Sequence, residues 1–281
     1  MINNETHKID YYENGNVQRK RYYFNGKLHN EDGPAEIWYY NNGTINQEFW
    51  HINGKITRDN RPAIINYYKN GNMQFEKYYI NNNIHNENGP AVIFYYENGN
   101  KFYEEYYING KLHREDGPAG IYYFNNDNSS INRELYFIDD KLHRENGPAS
   151  ICYYKNGNIQ IEKYYVNDEL HREDGPAVIS YYENGNVFSK YYYINNELNN
   201  ENEPTIIKYY EDGSIRNKEY YIDGEFVMTD EEVKKYINST DPIEIENINK
   251  LKILYNICKT RDLKDKINEI GSILLLKILQ K

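Results

Sequence analysis

Asn109-Gly110-Lys111-Leu112-His113-Arg114-Glu115-Asp116-Gly117-Pro118-Ala119-Gly120-Ile121-Tyr122-Tyr123-Phe124 is the stretch that decides the fold. It opens on Asn-Gly, the dipeptide that makes tight hairpin turns because both central residues of such a turn need positive φ. It breaks at Gly-Pro, where a proline cannot donate to a strand ladder and so marks a bend or bulge. It resumes as alternating Ala-x-Ile-x-Tyr, the period-2 pattern of a strand. Outward from it, the same spelling recurs. Prolines fall at 34, 62, 90, 118, 148, 176 and 204, a spacing of 28 residues throughout except for one of 30. A fixed period of that size is the signature of a stacked repeat array.

Each copy carries two turn signals. One follows a Tyr pair, as at Asn42-Gly43, Asn70-Gly71 and Asn98-Gly99; the other precedes the Lys-Leu-His stretch, as at Asn25-Gly26, Asn53-Gly54 and Asn109-Gly110. Some copies relax the second signal to Asn82-Asn83, Asp139-Asp140 or Asn167-Asp168, residues that still tolerate the left-handed region. Both signals read as type I′ turns. Two hairpins per copy predict two long strands per copy: one like Lys101–Ile108, the other like Lys111–Phe124 with its Gly-Pro bend. The fold class is therefore mainly β, an elongated antiparallel meander or β-solenoid of about seven copies, followed by a small helical segment. The fourth copy holds two extra residues, expected as a surface excursion at Asn125–Ser130.

Comparing the copies predicts which face packs. Ile37, Ile65, Ile93, Ile121, Ile151, Ile179 and Ile207 never vary, nor does the Tyr two places on in each copy, whereas the interleaved positions do. The constant parity is expected to be the packed face and the variable parity the one turned to solvent or a partner. Trp38, Phe94, Phe102 and Phe188 on variable positions are the candidate interaction surface.

The array, residues 1–228, gives way to a segment at 229–281. Thr229 and Glu232 spell a capping box, opening a helix to about Ile237. Asp241-Pro242 is a second start, of a helix to about residue 258, and a third helix is expected over 261–280. These helices are expected to pack on the last copy through Ile248, Leu251, Leu274 and Ile278, as a cap or as a docking element.

Composition narrows function. Residues 1–229 carry 23 Lys+Arg against 34 Asp+Glu, and an acidic body is a poor partner for nucleic acid or anionic lipid. Two cysteines, Cys152 and Cys258, are too few for a zinc site or a disulfide framework. The sequence MINNETHKID holds no apolar signal-peptide stretch, and the run Ile273–Leu276 is too short to span a bilayer. An intracellular location is the expectation. The recurrent His113-Arg114-Glu115, His143-Arg144-Glu145 and His171-Arg172-Glu173 triplets hold residue types suited to acid–base or metal chemistry. Repetition argues against both, because a catalytic site is made once and copies would stand ~10 Å apart, too far to share an ion. The triplets read instead as a ladder in which His and the carboxylate tie down the bend.

Tyr106-Tyr107-Ile108-Asn109-Gly110-Lys111-Leu112-His113, followed by Gly, an aromatic pair and a second Asn-Gly, resembles the MORN repeat and its bacterial variants. The copies are longer than MORN units and insert Arg-Glu-Asp-Gly-Pro-Ala. That LHREDGPA spelling resembles a subclass from large DNA viruses of amoebae and some phages. The resemblance implies a β-hairpin per repeat and scaffolding, dimerisation or lipid contact as function. Together these readings predict a non-catalytic structural or protein-interaction repeat protein without cofactor or metal, whose partner is a protein. A lipid-associated module is the alternative, and it would need a basic edge that the composition denies.

Overall fold

In the computed structural model, residues 5–125, 130–200, 203–222, 224–238 and 248–260 are described, together with 267, 270, 271 and 273. They form two units, Met1–His143 and Arg144–Lys281.

In the first unit the strands Glu5–Tyr11, Val17–Phe24, Glu36–Tyr39, Ile45–Phe49, Ile64–Tyr67, Met73–Lys77, Val92–Tyr95, Lys101–Glu105, Gly120–Tyr123 and Ile131–Leu135 pair antiparallel, each with the next. In the second unit Ser150–Tyr153, Ile159–Lys163, Val178–Tyr181, Val187–Tyr191, Ile206–Tyr209, Ile215–Ile222 and Glu225–Thr229 do the same. The architecture is a mainly β antiparallel meander, as the sequence predicts. Short two-residue hairpins such as Tyr107–Ile108 with Lys111–Leu112 lengthen each hairpin beyond the Gly-Pro excursion.

The two turn signals fold differently. Before Lys-Leu-His, both central residues are left-handed, with φ of 52° and 84° at Asn109 and Gly110, which is the expected type I′ geometry. In the relaxed copy the central pair is Asn81-Asn82, one residue earlier than the sequence reading placed it. After the Tyr pair only the glycine is left-handed. Gly99 N–H bonds Tyr96 O, and Tyr96 N–H bonds Asn100 O. This is a type I turn closed by a glycine bulge rather than type I′. The physical reason is length: three residues separate the paired ends, so the chain reverses before it reaches glycine.

A second bulge follows in every such hairpin. Tyr95 faces Lys101 while Phe94 faces Tyr103, so Phe102 is the extra residue. Phe188 is the extra residue between Val187 and Ser189 in the same way. The longer turn of the fourth copy keeps this register, with Tyr123 opposite Ile131. Residues 126–129 of the expected excursion lie outside the described residues.

Burial corrects the face assignment. Ala35, Ala63, Ala91, Ala119, Ala149 and Ala177 are fully buried beside the bend. The two positions that follow are both covered. Val92 is 3% exposed, less than Ile93 at 8%, and the variable positions Glu36, Gly120, Ser150 and Ile206 are also buried. Variation here does not mark exposure. Gly120 lies opposite Leu135, whose Cβ stands 3.5 Å from where a Gly120 Cβ would be, so a large residue fills the space that a small one leaves.

The helical segment begins as expected. Helix α1, Asp230–Asn238, starts on a closed capping box: Thr229 N–H donates to Glu232 Oε2 at 2.8 Å and Glu232 N–H to Thr229 Oγ1 at 3.3 Å. The Thr229 main-chain N–H first, then the Lys250 ammonium at 3.2 Å, hold the Glu232 carboxyl below its usual range. Helix α2, Ile248–Thr260, follows. Val233, Leu251, Leu254, Ile257, Cys258 and Ile270 share a core with Tyr220, Val227 and Met228 of the last strands. Leu251 thus packs as expected; the Ile248 side chain, Leu274, Ile278 and most of the third expected helix lie outside the described residues. No helix among the described residues is long and apolar enough to cross a membrane.

Candidate interaction face

The constant residues join copies. Where the preceding copy offers a Glu, the first Tyr of the pair reaches back to it: Tyr67 to Glu48 at 2.8 Å, Tyr95 to Glu76 at 2.7 Å, and in the second unit Tyr181 to Glu162 at 2.6 Å. At Tyr39 and Tyr209 a lysine takes that place, Lys20 and Lys190, 5.4 and 5.8 Å from the ring. Burial first, then the bond to the neighbouring carboxylate, pushes the Tyr67, Tyr95 and Tyr181 phenols above their usual range. The second Tyr reaches forward, Tyr40 donating to Tyr67 O at 2.7 Å and Tyr68 to Tyr95 O at 2.9 Å. The Asn residues of the turn act twice. Asn70 Oδ1 accepts from Asn72 N–H, and both side chains donate to Glu97 O one copy on.

The triplet residues divide their work in a way the sequence reading missed. Histidine faces the carboxylate of its own bend and also joins its copy to the next. His85 Nδ1 accepts the Asn109 N–H of the next copy at 3.1 Å, and His29 does the same for Asn53. Its proton therefore sits on Nε2, which faces Glu87 at 3.5 Å. The residue after histidine holds the bend: Arg114 donates to Pro118 O at 3.3 Å and to Asp116 at 2.9 Å, and its guanidinium lies 4.0 Å over the Tyr106 ring. Arg172 repeats this with Pro176, Asp174 and Tyr164. The Arg114 hydrogen bond first, then its charge, holds the Asp116 carboxyl below its usual range. The Glu115 side chain, 88% exposed, stands 3.8 Å from His113 Nε2. Between the bends lie clefts, one of about 500 Å³ lined by Glu87, Tyr106, His113 and Glu115. Among the described residues no group of three His, Cys, Asp or Glu side chains is placed to hold a metal.

What varies is a row running across the strands of the first unit. Its cross-strand neighbours are Trp38–Gln47–Asn66–Phe75–Phe94–Tyr103–Tyr122. It is polar at one end, where Arg19 lies 4.3 Å over the Trp38 ring and 2.7 Å from Glu36, and Asn66 bonds Gln74. It becomes aromatic at the other: Phe75–Phe94, Phe94–Tyr103 and Tyr103–Tyr122 centroids lie 5.0, 4.6 and 5.4 Å apart. All four rings are half-buried. Burial, then Glu105, pushes the Tyr103 phenol up.

Of the expected surface residues, Phe94 and Phe102 come together. Phe102, 39% exposed, sits 5.2 Å from Tyr103 and 5.0 Å from Tyr96. Trp38 belongs to the polar end of the same row. Phe188 lies in the second unit, half-buried and edge-on to Tyr182 at 5.2 Å. Sequence reading missed Phe75, Tyr103 and Tyr122. Their signal was the cross-strand register, which a single copy does not reveal.

The model of the MORN repeat variant matches four segments of this chain, residues 7–25, 91–115, 149–167 and 177–195. Each includes residues of the type I′ hairpin or of the Tyr-pair turn. No curated protein matches the chain. Among solved structures, the crystal structure of TcdB2-TccC3 is 10% identical, covering 79% of this chain and 13% of that one at a TM-score of 0.18. That of TcdB2-TccC3-Cdc42 is 12% identical, covering 76% and 12% at 0.17. At such scores the likeness carries no argument about the fold.

Proposed function

We propose that this chain is a non-catalytic interaction scaffold: a MORN-like array that holds a protein partner on the aromatic end of its variable row. One observation carries the reading. The recurrent His, Arg, Asn, Tyr and Glu side chains are engaged in bonding copy to copy or closing the bends, while the residues that differ between copies form the continuous row from Trp38 to Tyr122. A half-exposed aromatic patch beside a bulged, exposed Phe102 is the kind of surface that anchors a protein partner. The similarity to MORN repeats supports an interaction role, and the domain reading treats residues 229–281 as a cap on the array. Inside the cell is the proposed location, with host cytoplasm or virion as the setting if the LHREDGPA resemblance extends to origin.

The test uses the full chain as bait, beside Phe102→Ser, whose ring is 39% exposed. The reading expects stoichiometric capture of a protein by the parent chain and its loss in the variant, with the melting temperature little changed. Sedimentation with anionic vesicles in the absence of any captured protein would favour the lipid-associated alternative and overturn it.

A further inference from the structure

Glu105 lies two residues beyond Tyr103 on one strand, and so on the same face of the sheet as the aromatic row. Its carboxylate is half-buried and accepts a hydrogen bond from the Tyr107 hydroxyl, 3.2 Å from Oε2. Among the described residues it has no ion pair. Lys77 bears on it through charge alone, its ammonium lying 5.1 and 5.6 Å over the Phe75 and Phe94 rings. Burial, the largest influence, pushes the Glu105 carboxyl above its usual range, against the Tyr107 bond and Lys77. The Tyr103 and Tyr122 phenols are raised in turn, by burial first and then by Glu105.

Other carboxylates of this kind receive a cation from within the chain. Glu219 holds the place of Glu105 in the last copy: it lies opposite Ile206 as Glu105 lies opposite Val92, and Tyr221 donates to its Oε2 at 3.2 Å. Its Oε1 takes the Asn217 amide at 2.7 Å and the Lys208 ammonium at 3.6 Å. In the copy of Glu105 those two places belong to Phe94 and Tyr103. Glu36 meets the Arg19 guanidinium at 2.7 Å, and that guanidinium lies 4.3 Å over the Trp38 ring. At Glu105, rings stand where the cation would be.

We propose that Glu105 anchors an arginine side chain of the protein partner, whose guanidinium pairs with the carboxylate beside the Tyr103 and Tyr122 phenols. The assignment rests on the scaffold reading and names the chemistry that its partner must carry. A guanidinium is planar, weakly hydrated and rich in donors, so it can satisfy a carboxylate and phenol oxygens together while lying against rings. It is also the group that this chain itself sets between Glu36 and Trp38. A lysine ammonium is more strongly hydrated and loses more on entering a half-buried aromatic site. One carboxylate supplies too few ligands for a metal ion.

The probe is acetyl-arginine-amide, titrated into the full chain and followed by saturation-transfer NMR, with acetyl-citrulline-amide as its uncharged counterpart. The arginine probe is expected to bind at least about tenfold more tightly than the citrulline probe, and Glu105→Gln to weaken it about tenfold. Glu115→Gln, at an exposed carboxylate elsewhere, should leave it unchanged. Phe94→Lys, which repeats Lys208 of the last copy, should supply the cation from within and abolish binding, with the β circular dichroism retained. No binding, equal binding of the two probes, or binding indifferent to Glu105→Gln would overturn the proposal. So would a captured protein that Phe102→Ser releases and Glu105→Gln does not, an outcome that leaves the scaffold reading standing. Probe binding without capture of any protein would support the site and overturn the scaffold reading alone.

Discussion

Asn82 Oδ1 accepts a 2.7 Å hydrogen bond from the main-chain N–H of Ile56, one copy earlier. Asp140 does the same for Leu112 and Asn196 for Leu170. Each occupies a turn position that other copies give to glycine, with φ near +70°. The left-handed cost of a side chain there, roughly 1–2 kcal/mol for an ordinary residue and less for Asn, is offset by a bond contributing about 1 kcal/mol.

Asn82→Gly should therefore be close to neutral, removing strain and bond together. Asn82→Ala should lose about 1–2 kcal/mol, since it drops the bond and keeps a strain somewhat larger than that of Asn. Urea unfolding of both variants checks the ordering; equal losses would show that the carboxamide contributes nothing.

Gly120 sits in a strand where its counterparts include Val92 and Ile206, and a Cβ there would meet Leu135 only at ordinary contact distance, 3.5 Å. Gly120→Ala is expected to stabilise by about 0.4–1 kcal/mol by narrowing the unfolded ensemble. A lower melting temperature would mean that the space beside Leu135 is smaller than its geometry indicates.

The phenols of Tyr67, Tyr95, Tyr123 and Tyr181 are raised, by burial first and then by the Glu that each one bonds. A group whose folded pKa exceeds its unfolded value, about 10 for tyrosine, contributes stability that is complete below the unfolded value. That stability is lost as pH rises through the folded one. Their contribution should hold steady through neutral pH and fall away above about pH 10, with phenolate absorbance from these residues appearing together with unfolding. Ionisation of the whole Tyr complement while β circular dichroism remains intact would contradict it.

Much of this was legible in the sequence. The proline period located the bends, the second Asn-Gly signal gave its type I′ turns, and Thr229 with Glu232 gave the helix start. Two things were not. The turn after the Tyr pair uses the same dipeptide at a different loop length, and only the pairing of Tyr96 with Asn100 distinguishes them. The buried state of Val92 and Gly120 was hidden because a variable position reads as exposed, whereas here it is covered, and at Gly120 the missing side chain is made up by Leu135. The aromatic row was half visible: Phe94 and Phe102 stand out in sequence, but Tyr103, whose ring meets both, looks like any other tyrosine of the array.

Deleting residues 229–281 should expose Tyr220, Val227 and Met228, now packed under α1 and α2, and cause aggregation while the early copies stay folded, because coupling in arrays is mainly between neighbours. Hydrogen exchange on the truncated chain reads both effects. Thr229→Ala, which opens the capping box, should cost about 1 kcal/mol. A truncated chain that remains monomeric and equally heat-stable would mark the helices as an independent docking element.

If the constant residues exist to join one copy to the next, Glu76 and Tyr95 must be energetically coupled. The most direct measurement is a double-mutant cycle of Glu76→Ala and Tyr95→Phe in the full chain, followed by urea unfolding. A hydrogen bond to a half-buried carboxylate predicts a coupling energy of about 1–2 kcal/mol, with a similar value for Glu48 and Tyr67 one copy earlier. Additive losses, with coupling within about 0.3 kcal/mol of zero, would contradict the claim that these residues bind repeat to repeat.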